Sequence, residues 1–273
     1  MPRDFNDIDD RFLDLDFPSQ PQYVRGYHDV PAFNDLMMRS SYEDAVGVLS
    51  DSEIREATEK IAARGGGASR AVVMIHNQKQ EGSCVGNGFT GATETTFAKQ
   101  FGKANAVKLS PISLYDRIGS SAGSGAAVSD GIEEAASRGI VPLDTPENKQ
   151  RFSLVMPATG FSRRMPAGWE EAAQDFKVAE YHIVKSVPGI WSALARGEVV
   201  VVGRQGHCIY YVDPVIIRGS LAAKYANSWG EWGDAGGDFE HGFGYDTTNA
   251  VRQSAGWAVV IRSVVTPRFM LAA

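Results

Sequence analysis

The pattern of apolar and polar residues differs between the middle of this chain and its last third. Helix-length segments with capping residues or glycines at their ends dominate the middle, whereas short apolar runs rich in Val, Ile and Tyr fill the last third. Such end signals favour helices, and short β-branched runs favour strands. Helices followed by strands, without regular alternation, predict an α+β fold.

Five segments carry helix signals. The run from Ser50 to Glu53 supplies an N-cap and a capping box, in which each side chain binds the other residue's backbone N–H. Gly139 and Gly197 stand where glycine commonly follows a helix. The predicted helices span residues 50–63, 85–100, 109–118, 128–138 and 188–196.

Seven apolar runs predict strands. The first leads into a polar loop between Gln78 and Cys84, and the other six lie in the last third of the chain. The predicted strands span residues 71–75, 178–184, 199–202, 207–212, 215–217, 222–226 and 256–265.

Composition and charge narrow the class of protein. The chain has 273 residues, 43% hydrophobic and 22% charged, as in ordinary soluble globular proteins. A net charge of −6 without a Lys/Arg block does not indicate a nucleic-acid or anionic-membrane partner. Two cysteines do not make a disulfide framework, and neither a secretory leader nor an apolar run of membrane-spanning length is present. We therefore expect a soluble protein, cytoplasmic or associated with a larger particle.

Residues 1–20 are predicted to form an acidic arm. Six Asp against two Arg leave −4 in this stretch, out of −6 for the whole chain, and apolar residues are interleaved with the acids. We expect residues 1–68 to be an N-terminal extension. It could dock on its own core, dock on a neighbouring subunit or host assembly, or occlude a groove.

Cys84 lies where the polar loop passes into a predicted helix. A thiol in the first turn of a helix faces unpaired N–H groups and the positive end of the macrodipole, and both favour the thiolate. Gly86, Gly88 and Gly91 follow, each costing roughly 1 kcal/mol relative to alanine in a helix, which predicts close packing of another backbone. Taken alone, Cys84 would favour a buried structural cysteine over a reactive one, and the motifs further along the chain reverse that preference.

Two further motifs complete a possible catalytic set. Gly206-His207 opens an apolar strand, and Asn227-Ser228-Trp229-Gly230 follows another. A thiol nucleophile needs a base within hydrogen-bond reach, and the base needs a third group that fixes its ring. Cys, His and Asn side chains can supply these three roles.

Together these motifs resemble those of the papain family (C1-type) of cysteine peptidases. Gln78 and Cys84 match its Gln-x5-Cys element, Gly206-His207 its Gly-His element, and Asn227 to Gly230 its Asn-Ser-Trp-Gly element, continued by Trp232-Gly233. The resemblance implies a helical lobe with a central Cys-bearing helix, packed on an antiparallel, β-barrel-like lobe. We expect these lobes at residues 69–150 and 151–273.

The resemblance also implies residue roles. Cys84 would be the nucleophile, held as a thiolate by His207, with Asn227 orienting the ring and Trp229 shielding that contact from water. Gln78 and the Cys84 backbone N–H would bind the oxyanion. Gly123 and Gly125 would pair with the backbone of a peptide or protein substrate, with Trp229 also in the substrate-binding region. No cofactor or metal is implied.

Several departures keep other functions open. The family has Trp where this chain has Val85, and a long segment is missing between Val202 and Gly206, so substrate preference does not carry over. A papain-fold amidase or transpeptidase, or an inert binding protein within a larger assembly such as a virion, remains an alternative. Cys208 is expected to fill the core, with a redox pair to Cys84 as the other possibility.

The sequence motifs of several other kinds of active or binding site are absent. The chain has no His-Glu-x-x-His, Cys-x-x-Cys or Walker lysine sequence, which leaves metal and nucleotide chemistry without an anchor. The remaining histidines are predicted to be surface or structural residues: His28, His76, His182 and His241.

Overall fold

The computed structural model describes residues 13, 27–28, 40–143, 159–162, 165, 167–230 and 242–271. The helices are α1 Tyr42–Ala45, α2 Asp51–Ala63, α3 Cys84–Phe101, α4 Pro111–Ile118, α5 Val128–Ser137, α6 Trp169–Ala173, α7 Val187–Ala195, α8 Thr248–Ser254 and α9 Arg268–Leu271. Short 3-10 turns lie at Ala68–Ala71, Lys103–Asn105 and Gln174–Phe176.

Six strands form one antiparallel sheet, and two short strands form a parallel pair. The strands are β1 Tyr27–His28, β2 Ala126–Ala127, β3 Val178–Val184, β4 Val199–Arg204, β5 His207–Ile217, β6 Ser220–Ala226, β7 Phe243–Thr247 and β8 Ala258–Val264. The sheet order is β3-β8-β4-β5-β6-β7, so that β4 and β5 lie at its centre. The α+β prediction is confirmed.

Helices cover both faces of this sheet, which explains the unbroken apolar run in β4. Val199 and Val201 pack on the side of α3, whereas Val200 and Val202 pack against α2 and α7 on the other side. A strand that is buried on both faces has apolar residues at every position instead of at alternate ones.

The Cys-bearing helix α3 is the centre of the structure, and every residue from Cys84 to Ala98 is buried. Its glycines allow neighbours to approach. A Cβ on Gly86 would lie 2.9 Å from the backbone oxygen of Pro111, and one on Gly91 would lie 2.7 Å from the Tyr210 ring. The predicted close backbone approach is therefore confirmed at Gly86, while at Gly91 the neighbour is an aromatic side chain.

The predicted elements differ from the structure at several places, and short elements such as α1, α6 and α9 were not predicted. Residues 71–75 form no strand, because only Asn77, just beyond them, has a bridge partner, at Trp229. The two predicted strands at 207–212 and 215–217 are one strand, β5. A register shift between Tyr211 and Asp213 allows this strand to continue through Pro214. Strand β7 and helix α8 were not predicted, because their polar residues lack a clear period.

Parts of the N-terminal extension touch the rest of the chain. Leu13 forms a parallel bridge with Tyr245 of β7 and packs on the small apolar cluster beneath it. Tyr27 and His28 pair in parallel with β2. The remainder of the acidic arm lies outside the described residues, as do His241, Trp232 and Gly233, so the docking and occlusion hypotheses stay predictions.

We expect Ser50→Ala to lower the free energy of unfolding by about 1 kcal/mol. The predicted capping box is present: Ser50 Oγ accepts from Glu53 N (3.4 Å), and Glu53 Oε2 accepts from Ser50 N (2.8 Å). Urea unfolding measures the change. Glu59→Ala, on the same helix but away from the cap, is the control, and an equal loss in both variants would contradict the capping role.

Candidate active site

Three segments carry the residues of the candidate site. The first is the loop that ends at α3, with Gln78 and Cys84. The second is the start of β5, with His207, and the third is the turn after β6, with Asn227. All four side chains are buried, with exposed fractions of 0%, 0%, 1% and 2% in that order.

Cys84 is the first residue of α3, as the sequence predicts. The next turn of this helix packs on the beginning of β5, where a Cβ on Gly88 would lie 3.0 Å from Cys208 Sγ. The first turn of α3 and the first residues of β5 are therefore neighbours in the fold. The sulfur is covered, so a substrate can reach it only after the groups above it move.

His207 and Asn227 form the hydrogen bond that the sequence predicts. His207 Nε2 lies 2.7 Å from Asn227 Oδ1, which also accepts from the backbone N–H of Ser228 at 2.7 Å. Because Oδ1 accepts a backbone N–H, we assign it as the amide oxygen, and His207 Nε2 therefore carries the ring proton. In the neutral ring Nδ1 is then the basic nitrogen.

Burial lowers the pKa of His207 to about 4. The Asn227 hydrogen bond raises it, and the Arg204 guanidinium lowers it. An isolated His207 is thus a neutral base near pH 7. The expected imidazolium would need the negative charge of a Cys84 thiolate beside it.

The ring of Trp229 stacks on the His207 imidazole, with centroids 4.8 Å apart and an angle of 27° between the planes. Trp229 is 5% exposed and belongs to the apolar cluster on the α2 and α7 side of the sheet. The indole therefore covers one face of the His207 ring.

Gln78 is held at both ends of its amide. Its Oε1 accepts from Ser228 Oγ (2.5 Å), and its Nε2 donates to the Glu81 carbonyl (2.8 Å). Its backbone N–H donates to the Ser228 carbonyl at 2.8 Å. The proposed oxyanion donor is thus linked directly to the residue that follows Asn227.

The loop with Gly123 and Gly125 lies against the loop that precedes Cys84. Gly82 N donates to the Ala122 carbonyl at 2.7 Å, and a Cβ on Gly82 would lie 2.9 Å from Gly125 N. Gly125 has φ +74°, in the region that favours glycine. Tyr115 fastens the loop, since its hydroxyl donates to the Ser121 carbonyl (2.7 Å) and accepts from Gly125 N (3.1 Å).

Residues 160–162 form a further wall beside these loops, which the sequence analysis did not identify. Glu81 Oε1 accepts from Gly160 N at 2.6 Å and from Phe161 N at 3.2 Å. Asp116 Oδ1 accepts from Ser162 N at 3.0 Å. Two carboxylates thus hold this segment next to the residues that precede the nucleophile.

Cys208 packs in the core on the α3 side of β5, and neither cysteine forms a disulfide. Burial raises the pKa of the Cys208 thiol well above its usual range, and the nearby Cys84 acts in the same direction. A thiol that stays protonated is a poor nucleophile. These observations favour the core role.

A buried ion pair and a buried histidine–carboxylate contact near the site were also missed. Arg204, opposite His207 in the β4–β5 hairpin, contacts Asp246 at 2.9 Å, and Asp246 also accepts from Tyr211. His76, predicted to be a surface or structural histidine, pairs with Glu94 of α3 at 2.9 Å. Glu94 is the one charged residue between Cys84 and Ala98 of α3, and this is the sequence signal that could have identified it.

In the described part of the chain we find no group of three His, Cys, Asp or Glu side chains arranged to hold a metal ion. Within the same residues, none of the helices combines the length and apolar character needed to span a bilayer.

Comparison with known proteins identifies relatives by structure only. No protein-family model matches the chain, and no curated protein sequence matches it. The structure is similar to xylellain, a cysteine protease from Xylella fastidiosa, at 18% identity and a TM-score of 0.52, over 71% of this chain and 83% of that one.

Two proforms are similar as well. For digestive procathepsin L 3 of the Tenebrio molitor larval midgut the identity is 17% and the TM-score 0.54, over 71% of this chain and 67% of that one. For the ragweed pollen cysteine protease Amb a 11 the identity is 17% and the TM-score 0.56, over 89% of this chain and 75% of that one. At such identities the likeness concerns the fold, and this chain therefore has the fold of the papain-like cysteine proteases.

Proposed function

We propose that this protein is a thiol hydrolase that cleaves peptide or amide bonds, with Cys84 as nucleophile and His207 as base. The observation that carries the proposal is the His207–Asn227 hydrogen bond at 2.7 Å, beneath Trp229 and beside the first turn of α3. It leaves the basic Nδ1 for a thiol proton, and a thiol opens the neighbouring helix.

The proposed reaction has two half-reactions. His207 Nδ1 takes the Cys84 thiol proton, and the sulfur attacks the substrate carbonyl. The resulting oxyanion is bound by the Gln78 amide and the Cys84 backbone N–H. The tetrahedral intermediate collapses as His207 protonates the leaving amine, and water, deprotonated by the same ring, then hydrolyses the thioester.

A peptide is the proposed substrate because the glycine loop offers backbone groups beside the nucleophile. Gly123 has open space at its Cβ position, and Gly82 draws the loop close to Cys84. Substrate residues would then lie between Gly123 and the 160–162 segment. A papain-fold amidase or transpeptidase would use the same nucleophile with a different acceptor.

Burial of the nucleophile supports a second candidate function, that of an inert binding protein. Cys84 and His207 are 0% and 1% exposed, so the chain in this conformation presents no open sulfur. In this candidate the acidic N-terminal arm serves to dock the chain on a host assembly.

Labelling with a thiol-reactive epoxide tests the proposal. We expect the wild-type chain to be labelled at Cys84, and the rate at pH 5 to stay close to that at pH 7, because a thiolate paired with imidazolium persists where a free thiol of pKa about 8.5 would be protonated. Cys84→Ala should abolish labelling, whereas Cys208→Ala should leave it unchanged.

An unlabelled wild-type chain would favour the inert candidate. If Cys84 is labelled, digestion of a peptide library separates a peptidase, which releases new amino termini, from an enzyme that acts on other amides. Addition of an amine acceptor then tests for transpeptidation.

We expect kcat/KM to fall as the pH drops through about 4. The pKa of His207 is lowered to about 4, and below that pH the protonated ring cannot accept the thiol proton. Above it the ring is free to take the thiol proton from Cys84, so the rate should remain level towards pH 7. A pH series with a small amide substrate measures this limb.

The control for the pH prediction removes the charge next to His207. Since Arg204 lowers the His207 pKa, the double variant Arg204→Met/Asp246→Asn should move the acid limb to higher pH. Replacing both partners avoids leaving one buried charge unpaired. An unmoved limb would show that another group controls it.

A further inference from the structure

His76 is a buried histidine whose two ring nitrogens have different surroundings. The side chain is 3% exposed, and its Nε2 lies 2.9 Å from Glu94 Oε2, while Glu94 Oε1 accepts from Leu109 N at 2.6 Å. His76 Nδ1 is buried and has no hydrogen-bond partner among the described residues. One side of the ring is therefore fixed, and the other is not.

The Glu94 carboxylate determines the tautomer of His76. An ionised carboxylate only accepts hydrogen bonds, so the ring nitrogen facing it must carry a proton. In the neutral ring Nδ1 is then an acceptor. The contact with Glu94 thus makes His76 Nδ1, on the other side of the ring, a hydrogen-bond acceptor.

His76 and the candidate catalytic asparagine line the same cavity. His76, Asn87, Asn227, Ser228 and Cys208 are among the residues that line it. Its interior has no room for a water molecule, so polar groups around it can be satisfied only by one another.

The unsatisfied groups around this cavity match in number and kind. Asn227 Nδ2 has two hydrogens to donate, and neither finds a partner in the described part of the chain. Two acceptors there also lack partners, His76 Nδ1 and Asn87 Oδ1. Each such group costs free energy while it stays buried and unpaired, so a small inward shift that joins them is favourable.

We propose that His76 is a positioning residue for Asn227, accepting a hydrogen bond from Asn227 Nδ2 while Asn87 Oδ1 accepts the second. Both contacts hold the amide with Oδ1 towards the His207 ring. A chain of contacts then runs from Glu94 through His76 and Asn227 to His207.

Backbone hydrogen bonds already hold the two sides of the cavity in register. Gly230 N donates to the His76 carbonyl at 2.9 Å, and Gln78 N donates to the Ser228 carbonyl at 2.8 Å. These bonds fix the backbone of the two segments that carry Asn227 and His76, so the proposed contact is one between their side chains.

The catalytic consequence rests on the proposed function. If His207 is the base, then loss of His76 should loosen the Asn227 amide and lower kcat with little change in KM. The size of one hydrogen bond suggests a fall of about tenfold.

The test compares His76→Phe with His76→Gln. Phe fills the site but offers no acceptor, whereas Gln can donate to Glu94 and still accept from Asn227. We expect hydrogen exchange of the Asn227 side-chain amide, followed by NMR, to accelerate in the Phe variant and to return towards the wild-type rate in the Gln variant. If Glu94 without its partner destabilises the Phe variant, His76→Phe/Glu94→Gln replaces it.

A double-mutant cycle separates positioning from general stability. In an Asn227→Ala background, His76→Phe should have no further effect on kcat, because its target is gone. An equal fall in both backgrounds, or unchanged Asn227 exchange in the Phe variant, would overturn the proposal. The exchange readout needs no turnover, so it decides the role of His76 even if the wild-type chain proves inactive and the proposed function fails.

Discussion

Replacing His207 with glutamine is expected to lower kcat/KM for amide hydrolysis by at least about 10³-fold, because the Cys84 proton then has no acceptor and the leaving amine no acid. The glutamine side chain can still bond to Asn227 Oδ1, so the loss reflects proton transfer. Hydrolysis of a fluorogenic peptide amide measures it, with peptides chosen from the library digest.

His182→Gln is the matched control for this variant. His182 is a histidine of the same sheet that contacts Glu180 at 3.1 Å. The His182→Gln variant should have a kcat/KM within about twofold of the wild type, as substitutions away from functional features usually do. Comparable losses in both variants, or full activity without His207, would contradict the assignment of the base.

Replacing Gln78 with alanine should lower kcat by about 10²- to 10³-fold, the effect of removing one oxyanion donor. KM should change little, because the donor acts on charge that develops only in the transition state. Single-substrate kinetics measure both constants, and thermal unfolding checks that the buried site still folds.

Ser228→Ala separates the donor from its support. It removes the hydrogen bond to Gln78 Oε1 but keeps the Nε2 group that would bind the oxyanion. We therefore expect a smaller loss of kcat than in Gln78→Ala. If Ser228→Ala loses as much, the position of the amide and not its presence controls the rate; if Gln78→Ala loses nothing, the oxyanion is bound elsewhere.

Local chemistry made much of the fold predictable. The Ser50 cap, the glycines at 139 and 197 and the long segment after Cys84 all gave helices close to their predicted bounds, because the signals lie within each segment. The failure at residues 71–75 has the opposite cause. An apolar run becomes a strand only where a neighbour offers a ladder, and none of the described residues pairs with residues 71–75 in this way.

The candidate site was predictable for a different reason, since its residues belong to short motifs of recognisable chemistry. Sequence motifs placed Cys84, His207, Asn227 and Gln78 in one region of the fold, yet they could not show that all four are buried. Nor could they identify Glu94, whose proposed role depends on a cavity formed by four separate segments. Contacts of this kind arise only when the chain packs.

The antiparallel pairing of residues 76–78 with residues 228–230 has a mechanical consequence. Gln78, whose amide would stabilise negative charge, lies on one of these paired segments. Asn227, whose amide would orient the imidazole, directly precedes the other. Because the two segments are hydrogen-bonded, a shift of one also moves the other. An insertion next to either segment should therefore change oxyanion stabilisation and the alignment of the His207 ring together. To transfer this site to another scaffold, both paired segments would have to be transferred together.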